Sequence, residues 1–148
     1  MLATFQPADN YDLYRILYFV HIFSAIAAFG PLFLYPRLQR LGDNEGIARL
    51  HVRFVMPALV VLWVVGMGMA GVAKFSIGSM HWLSITIVLW LIALLVSWFL
   101  IRPALNDPSE AARKKMSAGV GITHLILVLA LWLMIFKPFV DNIYVFND

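Results

Sequence analysis

Four histidines, His21, His51, His81 and His124, are the side chains here best suited to hold a metal or move a proton. A neutral imidazole is a good axial ligand for haem iron, and the interior of a helical bundle is a common place to hold such a cofactor. The sequence has no cysteine, which removes disulfides, iron–sulfur clusters, thiolate metal sites and cysteine nucleophiles. Met56, Met67, Met69 and Met80 offer soft thioethers that would suit copper, although Met67 and Met69 are two residues apart and point to different helix faces. Methionine also fills cores, and that is the simpler role for these four. Trp63, Trp90 and Trp98 read as lipid-facing or core residues rather than as a stacking box. No phosphate loop, nucleophile elbow or zinc motif is present.

The elements that must position these histidines are long and apolar. Of 148 residues, 62% are hydrophobic and 13% charged, whereas soluble domains run about 45–50% apolar and about 25% charged. Four apolar runs, at about 16–35, 54–73, 82–101 and 120–136, approach the ~20 residues that span ~30 Å of hydrocarbon. Only helices satisfy their own backbone over such runs in lipid. The links are short and hold Pro36, Gly42, Gly78, Pro103 and Pro108. Short links predict an all-α, antiparallel up-and-down bundle of four transmembrane helices, with 1–148 as one domain. Pro31 and Pro57 lie inside apolar runs and predict kinks. Small residues on the first run (Ser24, Ala25, Ala28) and the second (Gly66, Gly68, Ala70, Gly71) permit close helix packing, or space for a flat cofactor.

Charge gives an orientation. The links at 36–53 and 102–117 hold Arg37, Arg40, Arg49, Arg53, Arg102, Arg113, Lys114 and Lys115, eight of the eleven basic residues. Positive-inside bias puts both links in the cytoplasm and both termini outside. The net charge of +3 and the pI near 9.5 point to anionic lipid headgroups rather than nucleic acid. The segment Met1–Asp12 reads as a short surface stretch, not a secretory signal, because it is long, acidic and lacks a cleavage site. Tyr11, Tyr14 and Tyr18 suit the interface at that end.

No acid and no fixed charge lies in the middle of any run, which argues against a carboxylate proton relay or a voltage sensor. Depth sorts the histidines. At 1.5 Å per residue, His21 sits roughly 8 Å below the outer end of its run, and His124 about 6–9 Å from the inner end of its own. They make a poor axial pair. His51 and His81 fall at the mouths of their runs, where polar side chains are tolerated, so both read as interfacial. His21 with His81, or His124 with His51, pairs more easily by depth.

His21, then Phe29-Gly30, then Leu34-Tyr35-Pro36-Arg37-Leu38, resembles the first helix of the HemJ family of bacterial four-helix membrane proteins. Met56-Pro57-Ala58 with Trp63 and Gly66 is similar to its second helix, Trp82-Leu83 to the start of its third, and Lys137-Pro138-Phe139 to its C-terminal end. The resemblance implies haem b, a redox or electron-transfer role and, if the chain is an enzyme, an oxidoreductase of the protoporphyrinogen oxidase type. After the Trp-Leu pair the family carries a histidine and a haem-ligating lysine, and this chain has Ser84 and Thr86 there. The family's Asn-Glu pair near Val120 is also missing. Of the family's functional residues only His21 carries over, so the chain looks like a divergent relative within the wider group that includes CopD-like copper-resistance proteins. His21 is the expected metal ligand. His81, one turn before Ser84, and His124 complete the expected cofactor-binding set. Two other readings stay open: a non-catalytic accessory or assembly subunit of a larger, respiratory-type membrane complex, whose small-residue faces pack on other subunits or on further copies of itself, and copper handling through histidine and methionine.

Overall fold

The computed structural model describes residues 11–75 and 77–138, so most of the expected surface segment Met1–Asp12, and Phe139 of the C-terminal motif, lie outside the described residues. Four long helices account for nearly everything described: α1 (Tyr11–Arg40), α2 (Asn44–Val72), α3 (His81–Ala104) and α4 (Glu110–Phe136). No strand occurs among the described residues. Each helix is long and apolar enough to cross a membrane.

The helices run past the apolar stretches that predicted them. They contain 24 to 30 residues, or about 36–45 Å at 1.5 Å per residue, against ~30 Å of hydrocarbon. Polar caps explain the extra turns. The Asp43 carboxylate accepts the Gly46 N–H at 2.8 Å, and the Ser109 hydroxyl accepts the Ala112 N–H at 3.1 Å. Each satisfies one otherwise orphaned donor of a first turn. Glu45–Arg49 and Glu110–Lys114 ion pairs at i,i+4 then support the first turns of α2 and α4. Before α4, the Ser109 N–H donates to Asp107 at 2.8 Å, which lowers the pKa of that carboxyl. Basic residues expected in links therefore sit on helix ends. The α1–α2 connection shrinks to 41–43, turned by Gly42 at φ +74°, a left-handed conformation that glycine adopts without a Cβ clash.

Every departure from α geometry abuts a proline. A 3-10 segment, Gly30–Leu34, contains Pro31 and precedes Pro36 by two residues. Wide π-type turns, His51–Val55 and Ser97–Ile101, lie just before Pro57 and Pro103. Proline has no N–H to give, and its ring presses on the carbonyl four residues back. The Met56 and Arg102 N–H groups reach back five residues instead, to the His51 and Ser97 carbonyls. The kinks expected at Pro31 and Pro57 thus take the form of a tightened turn and a widened one.

Helix α1 packs chiefly on α2, and α3 on α4, whereas contacts from α2 to α3 and from α1 to α4 are sparse. The core lies where the pairs meet and includes Leu32, Tyr35, Ile47, Val55, Ile101 and Val120. Gly119 lets α4 close on α3: a Cβ there would sit 2.7 Å from Ile101 Cγ1. Much apolar surface stays outside, with Phe19 at 70% and Ile135 at 69% exposure.

Candidate functional site

The candidate residues separate into two places along α1. The first is the seam between α1 and α2 at His21. Its ring lies beside the Leu62 backbone and against Gly66, where a Cβ would come within 3.1 Å of His21 Cε1. The missing side chain of Gly66 is thus the space the imidazole occupies. Leu17 meets Gly68 in the same way, within 3.7 Å of a Cβ placed there. The small residues of α2 therefore admit α1 side chains. His21 Nδ1 is buried and has no hydrogen-bond partner. A buried, unpaired imidazole nitrogen is costly, and it is also the electronic state a metal ligand requires.

The other expected ligands are elsewhere. His124 on α4 packs its ring on Phe33 of α1, with centroids 4.0 Å apart, and its Nε2 is buried without a partner. Phe33 lies twelve residues beyond His21 on α1, about 18 Å of rise. The poor pairing of His21 with His124 expected from depth holds in three dimensions. His81 opens α3 with its side chain exposed. Behind it, the Ser84 hydroxyl donates to the Ile77 carbonyl at 2.5 Å and the Thr86 hydroxyl to the Trp82 carbonyl at 2.8 Å. The two positions where the resemblance leads one to look for ligands are thus bonded to local backbone. Among the described residues, no three histidine or carboxylate side chains converge as a metal site.

His51 departs most from expectation. Reading it as an interfacial residue is corrected: its exposure is 0%. The Tyr35 hydroxyl lies 3.0 Å from Nδ1, and Nε2 lies 3.2 Å from the Ser97 carbonyl oxygen. A carbonyl only accepts, so Nε2 carries the proton, and in the neutral ring Nδ1 accepts from the Tyr35 O–H. This node ties α1, α2 and α3 together at the two widened turns, because His51 begins one and Ser97 the other. Ser97 is itself 0% exposed, and its Oγ has no partner.

The sequence reading named Tyr35 only within the resemblance motif, with no role, and passed over Ser97. One signal for His51 was present. It falls in line with Ile47, Val55 and Leu59, a four-residue spacing that puts all of them on one buried face. Trp63 and Trp98 are exposed and Trp90 packs on the core, in keeping with lipid-facing or core roles. Trp63 and Trp90 stack at 5.5 Å, and the Trp90 indole N–H donates to the Leu59 carbonyl at 2.9 Å.

Comparison with protein-family models, curated proteins and solved structures returns no match, so the functional argument rests on the residues of this chain.

Proposed function

We propose that this chain is a multi-pass protein of the bacterial cytoplasmic membrane. Its helices run as an antiparallel up-and-down bundle, with the basic segments 36–53 and 102–117 inside and both termini outside. Within it, His21 would hold haem b, which would supply redox or electron-transfer chemistry. The membrane part is supported by the exposed apolar surface of all four helices, which lipid would cover at no cost in hydration, and by basic residues clustered on the turns that outlast the hydrocarbon.

The haem part is carried by one observation: the Nδ1 of His21 is buried and unpartnered, on a ring packed directly against Gly66. Those features fit an axial ligand, and the HemJ resemblance independently favours the same residue. On this reading His81, at the start of α3, shares the outer end of the bundle with His21, while His124 belongs to another level. Haem iron, when bound, exchanges one electron. The chain's part is to fix the imidazole against Leu62 and Gly66, and to keep fixed charge away from the middle of the spans. With Ser84 and Thr86 in place of a histidine and a lysine, the residues assign no substrate, and protoporphyrinogen oxidation is not part of the proposal.

The test is a reduced-minus-oxidised spectrum of protein purified from haem-supplemented cells. A haem band present in the wild type, lost in His21→Ala and kept in His124→Ala supports the reading. A band that is also lost in His81→Ala identifies the second ligand. A colourless wild type overturns the haem proposal. It would leave the accessory-subunit reading, which the exposed apolar surface of the helices also allows, since another subunit can cover such surface as lipid does.

A further inference from the structure

We propose that the seam between the end of α1 and the start of α4 is a binding site for the headgroup of an anionic phospholipid, held chiefly by Arg113. This rests on the membrane part of the reading above and not on haem. The two helices touch at Gln39 and Ser117, where the serine hydroxyl donates to Gln39 Oε1 at 3.5 Å. A groove of about 440 Å³ opens there, lined by Gln39, Glu110, Arg113, Lys114 and Ser117.

The charges in the groove are not equivalent. Lys114 is tied to Glu110 at 2.9 Å, which neutralises the one carboxylate in the lining. Arg113 has no ion-pair partner among the described residues. Its guanidinium is a planar fork of donors matched to two phosphate oxygens. Because the Gln39 oxygen already accepts from Ser117, its amide N–H₂ is left to donate. The lining therefore presents donors and a net positive charge, with Arg37, Arg40 and Lys115 close by in sequence.

An anionic headgroup fits this pattern better than a zwitterionic one, since Glu110, the acid that would greet a choline or ethanolamine, is already paired. The position fits as well. The same seam continues to the Phe33–His124 contact, where Phe33 is 61% exposed and offers an acyl chain an apolar track below the headgroup.

Native mass spectrometry of the full chain, exposed to equimolar phosphatidylglycerol and phosphatidylcholine with matched acyl chains, tests the proposal. The wild type should retain phosphatidylglycerol preferentially. Arg113→Gln should cut that preference about fivefold, the effect of one cation near an anionic surface, and Gln39→Leu should weaken it less. Lys74→Gln, beyond the far end of α2, should leave it unchanged. Equal retention of the two lipids overturns the site, as does an Arg113→Gln protein that folds normally and keeps the full preference. If glycerol 3-phosphate alone competes with the lipid as well as the lipid competes with itself, the site reads a free phosphate and the lipid assignment is rejected. Failure of the protein to fractionate with membranes would instead overturn the membrane reading, so the two failures are distinguishable.

Discussion

Tyr35 and His51 form a pair whose partners are worth more together than apart. Removing the imidazole in His51→Ala strands a buried tyrosine hydroxyl and opens a cavity, and should cost about 2–5 kcal/mol of stability. Tyr35→Phe strands only Nδ1 and should cost about 1–2 kcal/mol. The double variant Tyr35→Phe/His51→Leu removes both partners and should recover part of the loss of His51→Ala, since no buried polar group of the pair is then left unpaired. Thermal unfolding in detergent measures all three, and an unchanged midpoint for Tyr35→Phe would show that the hydroxyl contributes no bond. The two open imidazole nitrogens, His21 Nδ1 and His124 Nε2, differ in surroundings. One belongs to a ring packed against Gly66, and the other to a ring tilted against Phe33. That difference is why the haem proposal rests on His21.

Close approach is decided helix by helix, and glycines report where it occurs. At Gly119 a Cβ would lie 2.7 Å from Ile101 Cγ1 and 3.3 Å from Leu100 Cδ2, whereas at Gly121 nothing lies within 4 Å. Gly119→Ala should therefore destabilise the α3–α4 pair by about 1–3 kcal/mol, the usual cost of overpacking. Gly121→Ala should be neutral, or stabilising by up to ~1 kcal/mol, because alanine is the better helix former. Unfolding midpoints of the two variants decide this, and equal midpoints would mean that α4 does not approach α3 at Gly119. The prolines act at the same scale. Pro57 and Pro103 each sit just after a widened turn, and the two turns carry the His51 and Ser97 ends of one hydrogen bond. The sequence shows where the prolines are. It does not show that two irregular turns on different helices face each other.

At the scale of the whole molecule, orientation is open to a direct experiment, because the chain has no cysteine and any introduced thiol is unique. Leu41→Cys lies at an exposed turn between α1 and α2, with Leu41 72% exposed, and Gly78→Cys lies in the exposed link before α3. In intact cells an impermeant maleimide should label the Gly78 variant and spare the Leu41 variant until the membrane is opened. The opposite pattern would invert the proposed orientation. The four long apolar helices were legible from composition and run length, because both are properties summed over many residues. Helix ends were less legible: apolar content marks the hydrocarbon stretch, while Asp43 and Ser109 caps carry α2 and α4 beyond it. His51 was read as interfacial because it falls at the mouth of its apolar run, where polar side chains are tolerated, yet its exposure is 0%. Its place among Tyr35, Ser97 and the core was settled by tertiary structure alone, since burial depends on which faces of separate helices come together, and sequence spacing describes one helix at a time.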